Sequence, residues 1–471
     1  MTLNDAHLFR GNLFRAACVA GVVSLATFGS IASASAAISH FTPVAASPVT
    51  VGSEPSAIAF DPNPSPVSNH PSMFVANYAD GTVTMIDATT RAVLNTVKLT
   101  PHDFGTKNTG PRSITVDVTD DLVYVGNYDD SSVSILNGKT GVEARPPVSV
   151  GTNTETSAIA WDSTLNIIYV ANYASDAIIA LSGLDGSFIR VVPVDSGPLA
   201  LAFDSKSQRL FVAANNVHKV DVIESGGTTS TALPALDLND PRAIGIDSGK
   251  GLAYVANGND ATVTVFDPTS GEAVGPALVV GVEPEGVAVD EETHTAYVVN
   301  TASNTVSVID ETSPPAVSTS FAVGSLPSAV AVDSANHTVW VTNSEPGTVT
   351  VIQQSVSPTI TSGPPSAATV GDLYSFTFTA SGVSTSPMSF SLSGALPDGL
   401  TFANGVITGT PTESGDFTIA LTASNGVDPD DTATYVLHVD AAAVVPPTNP
   451  PTTTPTTTPT TPGTHLPTVA G

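Results

Sequence analysis

The residues best suited to chemistry are charged side chains that recur at one position of the chain. Seven similar segments each carry a proline, or a substitute for it, at the start of a short apolar strand. Acidic residues next to this position are Glu54, Glu155, Asp240, Glu283 and Glu285, and basic ones are Arg112 and Arg242. If these groups met in space, they could bind a small polar ligand or a cation. They could equally neutralise one another around a solvated opening, where such pairs add little stability.

These side chains meet only if the seven segments surround an axis. Each segment holds three short β-branched strands divided by Asn, Ser, Gly or Pro, which is strand and turn chemistry. An aspartate closes each first strand, at Asp61, Asp117, Asp162, Asp204, Asp247, Asp290 and Asp333. An asparagine closes each second strand, at Asn77, Asn127, Asn172, Asn215, Asn257, Asn300 and Asn343. The last four gaps between these aspartates are 42 or 43 residues. That period fits four strands of ~5–6 residues with their turns, which is one blade of a β-propeller.

The repeated aspartates and asparagines are interpreted as architecture, because a residue required in every blade cannot mark one site. Short polar side chains at strand ends bond nearby backbone groups. The residues that break the symmetry are the better functional candidates. They follow the proline at Ser56, Arg112, Ser157, Leu199, Arg242, Glu285 and Ser328.

The two ends of the repeat array predict how the ring closes. The seventh segment stops after its third strand, at Ile352, and His40–Gly52 has the form of a fourth strand with no unit of its own. We predict that this N-terminal strand completes the last blade and so removes the exposed sheet edges. The fold class is therefore all-β, with a seven-bladed propeller at residues 37–355.

The repeats resemble the YVTN-type β-propeller family in two motifs. The naming motif is seen as Tyr169-Val170-Ala171-Asn172 and Tyr254-Val255-Ala256-Asn257, and the strand that follows it is seen in Thr262–Asp267 and Thr305–Asp310. The resemblance covers about two-thirds of the chain and implies the propeller fold. It implies little about activity, because that family includes surface-layer and adhesion-related proteins and propellers carry unrelated functions.

Residues 356–440 change character. Tyr374–Thr379 and Thr418–Ala423 alternate apolar and polar residues between closely spaced turns, which predicts a small β-sandwich. The run Leu396–Gly426 resembles the immunoglobulin-like, cadherin-like domains of bacterial surface proteins. That resemblance implies a spacer or an adhesive unit.

The two ends of the chain predict export. Residues 1–36 combine Arg10 and Arg15, the apolar run Ala16–Phe28 and the small-residue site Ala34-Ser35-Ala36, the pattern of a cleaved signal peptide. Cys18, the single cysteine, lies inside this segment. The apolar run is shorter than a membrane span needs, so the mature chain is expected to have no transmembrane segment. Residues 441–471 are a Pro/Thr-rich tail, which we expect to be extended and disordered.

Composition and motifs exclude several classes of function. Acidic residues outnumber basic ones 43 to 14, for a net charge of −29, which disfavours nucleic acid as a partner. The chain has no G-x-S-x-G, no phosphate-binding glycine loop and no H-E-x-x-H, so no motif predicts a catalytic residue. Asp428, Asp430 and Asp431 form an oxygen-rich turn and are weak candidates for calcium, although solvated carboxylates explain them as well.

Taken together, these patterns predict an exported protein, secreted or attached to the cell surface or wall. We expect a monomeric, non-catalytic binding, adhesion or envelope protein whose partner is a glycan or protein of the cell envelope. No cofactor is expected, with calcium as the one open possibility. The alternative is an exported propeller enzyme, a lactonase-like hydrolase or a quinone-dependent dehydrogenase, with an axial metal or cofactor site. That reading depends on convergent carboxylates, for which Glu54, Glu155 and Glu283 are the candidates.

Overall fold

In the described part of the chain, seven antiparallel sheets are arranged in a ring and three further sheets follow them. A computed structural model describes residues 41–442, apart from 44–46, 103–108, 153, 234–235, 311–313, 383, 385 and 428. The predicted signal segment and nearly all of the Pro/Thr tail lie outside the described residues. The described residues form strands and two short 3-10 helices, Tyr173–Ser175 and Asn215–Val217. None of the helices in this described part is long and apolar enough to cross a membrane.

Each blade begins with an inner strand and continues outward. The inner strands are Pro55–Asp61, Pro111–Asp117, Thr156–Asp162, Pro198–Asp204, Pro241–Asp247, Pro284–Asp290 and Ser325–Asp333. The second strands are Ser72–Asn77, Leu122–Asn127, Ile167–Asn172, Arg209–Ala214, Leu252–Asn257, Thr295–Asn300 and Thr338–Glu345. The third strands are Thr82–Asp87, Ser132–Asn137, Ala177–Ser182, Lys219–Glu224, Thr262–Phe266, Thr305–Asp310 and Thr348–Gln354. The outer strands of blades 1 to 6 are Val93–Lys98, Glu143–Ser149, Phe188–Pro193, Thr231–Ala232, Leu278–Val279 and Ala316–Ala322.

The N-terminal strand completes blade 7, as the sequence predicts. Phe41–Pro43 and Val49–Thr50 both pair antiparallel with Thr348–Gln354, with Phe41 opposite Gln354 and Thr50 opposite Thr348. The Phe41 ring stacks on Phe321 of blade 6, with centroids 5.5 Å apart. The inner strands of blades 7 and 1 are also neighbours, so the seven sheets form a closed ring.

The core is divided into layers between successive blades. The second strands are almost wholly buried because each lies between two neighbouring sheets, which explains their nearly continuous apolar runs. Outer strands such as Ala316–Ala322 alternate between exposed and half-buried residues, since one face meets solvent. One apolar layer joins Trp340 and Val351 of blade 7 to Met73 and Ile86 of blade 1, across the point of closure.

One predicted strand is much shorter than expected. The sequence indicates a fourth strand over Ala273–Gly281, whereas the observed outer strand of blade 5 is Leu278–Val279, with one isolated bridge from Ala273 to Phe266. Gly275 has φ of +81°, which breaks the extended conformation between them. The outer strand of blade 4, Thr231–Ala232, is equally short.

The C-terminal sheets form a small sandwich with an aromatic core. A four-stranded sheet contains Ala368–Thr369, Asp431–Asp440, Gly415–Ser424 and Ser389–Ser393 in that order. The other two sheets contain Tyr374–Thr377, Val406–Gly409 and Leu400–Ala403, and Thr359–Ile360 with Ala380–Ser381. Phe378 packs between these layers, stacked on Tyr435 at 5.7 Å. The predicted β-sandwich is confirmed.

Candidate functional site

The seven inner strands line a cavity of about 220 Å³ at the axis of the ring, which is open to solvent. Five of the seven residues that follow the proline position line this cavity: Ser56, Arg112, Leu199, Glu285 and Ser328. Its remaining wall is largely apolar, with Ile114, Ile159, Leu201, Ile244, Val287 and Val330 among the lining residues. The fold therefore brings together the loops on which the sequence places the candidate residues.

Three of the predicted site residues form one ion-pair network. Arg242 Nε lies 2.7 Å from Asp240 Oδ2, and Arg242 Nη1 lies 2.6 Å from Glu285 Oε1 in the next blade. Asp240 Oδ1 also accepts a hydrogen bond of 2.5 Å from Asn215 Nδ2. Burial raises the pKa of the Glu285 carboxyl, and the guanidinium groups of Arg242 and Arg112 offset part of that rise. In this network the charge of Arg242 is balanced by two carboxylates, which is the kind of mutual neutralisation that the sequence analysis considered.

Arg112 and Glu155 are connected through an aromatic ring. Arg112 Cζ lies 5.0 Å from the centroid of Tyr128, within the range of a cation–π contact. Burial raises the pKa of Tyr128, and the nearby Glu155 carboxylate raises it further. The sequence analysis missed Tyr128, which occupies the position directly after the recurring Asn127 and could have been found there.

Glu54 and Glu283 lie apart from these contacts. Glu54 is exposed and lines a second cavity of about 240 Å³ at the ring closure, together with Asp80 and Glu345. Glu283 is half-buried and close enough to influence the pKa of both Arg242 and Glu285. Glu54, Glu155 and Glu283, the set required for an axial metal, are therefore not assembled as one group.

The residue before the proline position has a backbone role in every blade. All seven have positive φ: Glu54, Gly110, Glu155, Gly197, Asp240, Glu283 and Leu326. This conformation is uncommon for residues other than glycine. In blades 1 to 6 the carbonyl of this residue also accepts a hydrogen bond from the chain leaving the second strand, as from Tyr78 N to Glu54 O at 2.9 Å. The backbone turn therefore sets the position of the acidic residues, independently of the contacts that their side chains make.

The three serines that follow the proline position fasten neighbouring blades. Ser56 Oγ donates to Pro111 O at 2.8 Å, and Ser157 Oγ donates to Pro198 O at 2.6 Å. Ser328 Oγ donates to Pro55 O at 2.6 Å, which joins blade 7 to blade 1. Each of these three hydroxyls therefore donates its proton to a backbone carbonyl of the adjacent blade.

The recurring aspartates are buried and bind the turn that follows them. Asp117 Oδ1, for example, accepts hydrogen bonds from the backbone N–H groups of Thr119 and Asp120. In two blades the other oxygen meets a histidine of the next blade: His294 Nδ1 lies 2.7 Å from Asp247 Oδ2, and His337 Nδ1 lies 2.8 Å from Asp290 Oδ2. These contacts support the architectural interpretation.

The recurring asparagines clamp the second strand to the third. In blade 5, Asn257 Nδ2 donates to the hydroxyls of Thr262 and Thr264, and blades 1, 2, 6 and 7 repeat this arrangement. The alternating Thr and Ser residues of the third strand supply these acceptors. Blade 3 lacks the hydroxyls, and Asn172 donates instead to Val150 O.

The calcium candidates do not converge in the described part of the chain. Asp431 Oδ2 accepts a hydrogen bond of 2.7 Å from Ile360 N, Asp430 is exposed, and Asp428 lies outside the described residues. Within the described ranges, no group of three or more His, Cys, Asp or Glu side chains is arranged to hold a metal ion.

Comparison with known proteins supports both folded parts. Residues 357–440 match the family described as "Putative Ig domain". The chain is similar in structure to Kuenenia stuttgartiensis hydrazine synthase, with TM-score 0.54 and 18% identity over 64% of this chain and 96% of that chain. It is also similar to the solved structure of U3-55K, with TM-score 0.55 and 11% identity over 66% of this chain and 100% of that chain. At these identities the likeness shows the fold alone, and no curated protein matches the chain.

Proposed function

We propose that this protein is exported and acts at the cell surface or outside the cell as a non-catalytic binding, adhesion or envelope protein. The propeller, residues 37–355 and of the YVTN type, presents a wide loop-built face. The immunoglobulin-like domain at 356–440 and the tail at 441–471 act as spacers behind it. The partner is a glycan or protein of the cell envelope, and the protein works as a monomer.

The observation that carries this proposal is the engagement of the axial charges with one another. Arg242 forms ion pairs with Asp240 and with Glu285 of the next blade, and Asp240 also accepts a hydrogen bond from Asn215. A general acid or base needs a carboxyl that can reach and exchange a proton with a substrate. Carboxylates that hold neighbouring blades together are better suited to a rigid platform than to catalysis.

Binding to envelope material tests this proposal. Fluorescently labelled full-length protein is added to whole cells and to isolated envelope glycans, and retention is compared with that of the Glu285→Gln variant. We expect both proteins to be retained equally, because the loop-built face and not the cavity makes the contact. Loss of retention in a correctly folded Glu285→Gln protein would contradict the proposal.

An exported propeller enzyme is the second candidate, favoured by the axial cavity and by the raised pKa of Glu285, since perturbed carboxyls in clefts mark many active sites. A thermal-shift screen with divalent metals separates the two. We expect calcium to stabilise the protein weakly at most. A rise of many degrees with one metal, abolished by Glu155→Ala, would favour the enzyme.

A further inference from the structure

Arg112 and Arg242, the two arginines among the axial candidates, have different surroundings. It lines the axial cavity, and its guanidinium faces the ring of Tyr128. None of the described residues accepts a hydrogen bond from it. A guanidinium carries five N–H donors, and Arg242, three blades further along the chain, uses its own on two carboxylates.

Tyr128 holds this guanidinium in place before any ligand arrives. The face of the Tyr128 ring attracts the cation, whose Cζ lies 5.0 Å from the ring centroid. A side chain that is already oriented loses less conformational entropy on binding than a free one. The stacked face of the guanidinium is covered, and its N–H edge stays available.

The cavity determines what such an edge can bind. A guanidinium edge matches a carboxylate, with two parallel N–H to oxygen bonds. The volume of about 220 Å³ is below the ~300–1,000 Å³ of ordinary ligand pockets, so the ligand is small. Apolar residues such as Ile114 and Ile159 would contact a short carbon chain.

Glu285 adds a second requirement. It is the other charged residue among those that line the cavity, and Arg242 already neutralises part of its charge. A carboxylate oxygen can accept from a hydroxyl or ammonium group of a ligand but repels a second carboxylate. We propose that the axial cavity binds a small monocarboxylate that carries a hydroxyl or ammonium group, with Arg112 on its carboxylate and Glu285 on its donor group. This site does not depend on the proposed adhesive role.

Ligand-observed NMR with the full-length protein tests the site, with L-lactate and L-alanine as probes. Lactamide and propanoate are the comparison compounds, because the first lacks the carboxylate and the second lacks the donor group. We expect lactate or alanine to bind and lactamide not to bind. Propanoate should bind more weakly than lactate, and failure of both lactate and alanine to bind would overturn the proposal.

Two variants assign the binding to Arg112. Arg112→Gln should weaken lactate binding by at least about tenfold, a difference that direct titration resolves easily. Arg145→Gln is the matched control, since Arg145 is exposed on the outer strand of the same blade. It should bind lactate as the unmodified protein does. Equal loss in both variants, or no loss in Arg112→Gln, would overturn the assignment.

A second measurement needs no variant and remains decisive if Arg112→Gln does not fold. Phenylglyoxal modifies arginine side chains, and mass spectrometry reports the extent at each one. Lactate should slow modification of Arg112 by about tenfold and leave Arg145 unchanged. Equal modification of Arg112 with and without lactate would contradict a carboxylate site there. Cell binding is measured separately, so failure of this site leaves the adhesion proposal unaffected.

Discussion

One repeated residue has opposite electrostatic outcomes in different blades. Burial raises the pKa of Asp61 to about 6, with only part of the rise offset by the hydrogen bond from Asn63, and nearby Asp121 adds to it. Burial also acts to raise the pKa of Asp290, but the hydrogen bond from His337 and the turn N–H groups lower it below its usual value of 3.8. Contacts with the neighbouring blade therefore determine whether ionisation of this recurring aspartate is favoured or opposed.

The first prediction compares two identical substitutions. The folded-state pKa of Asp61 is raised, so the stability that its protonated form contributes is lost as pH rises from 3.8 to about 6. At about pH 8, Asp61→Asn should leave the free energy of unfolding unchanged or raise it. Asp290→Asn should lower it by ~1–3 kcal/mol, because a buried charge-assisted hydrogen bond is lost. Denaturant unfolding of both variants checks this, and equal losses would contradict it.

The second prediction concerns His337 and pH. The hydrogen bond to Asp290 raises the pKa of His337 above 6.5, although burial opposes it. Its contribution to stability is therefore complete below pH 6.5 and is lost as pH rises through the raised folded value. The contribution of Asp290 to stability is present above pH 3.8 and is lost as pH falls through its lowered folded pKa. The ion pair therefore stabilises the fold most between pH 3.8 and pH 6.5.

His337→Gln should therefore cost more stability at about pH 5.5 than at about pH 8.5, where the neutral histidine still donates to the Asp290 carboxylate but carries no positive charge. Urea unfolding at the two pH values measures the difference. A cost that is the same at both values, or larger at the higher one, would show that the pair is not ionised as described.

At the scale of single elements, the clamp between second and third strands can be tested with neighbouring serines. Ser307 is buried and accepts a hydrogen bond of 3.0 Å from Asn300 Nδ2, whereas Ser320, its cross-strand partner, is exposed on the outer strand. Ser307→Ala should lower the free energy of unfolding by ~1–3 kcal/mol, because the buried amide loses an acceptor. Ser320→Ala should change it by less than ~0.5 kcal/mol. Equal effects of the two would contradict the clamp.

The sequence predicts the inner and second strands well because their residues are constrained on both faces. Buried β-branched runs such as that of Ala329–Val332 leave a clear periodic signal, and the closing strand follows from the missing fourth strand of the last blade. Outer strands face solvent on one side, so their residues vary and their lengths are poorly predicted. Leu278–Val279 is the example, since glycine at 275 interrupts the run that the sequence suggested.

The candidate site is predictable only in part. The repeat phase places Arg242 and Glu285 at equivalent positions of neighbouring blades, so their contact follows from the ring. The contact of Arg112 with Tyr128 depends on side-chain directions at the ends of two strands, which no periodicity encodes. The positive φ of the residue before the proline also cannot be predicted from the sequence where that residue is Glu or Leu, because only glycine would signal it.

At the scale of the whole molecule, the axial cavity depends on closure of the ring. The axial cavity draws residues from all seven inner strands, so an open array would leave it without a wall. The hydrogen bond from Ser328 to Pro55 and the apolar layer around Trp340 both cross the point where the ring closes. The N-terminal strand is therefore expected to stabilise the axis as well as blade 7.

A disulfide across the closing strand pair tests this central claim most directly. Thr50 lies opposite Thr348 in the register, while Val349 points to the other face of the sheet. In protein that begins at Ala37 and so lacks Cys18, Thr50→Cys with Thr348→Cys should form an intramolecular disulfide under mild oxidation, seen by mass spectrometry. Thr50→Cys with Val349→Cys should not. Absence of the first cross-link, or equal formation of both, would contradict closure of the ring by the N-terminal strand.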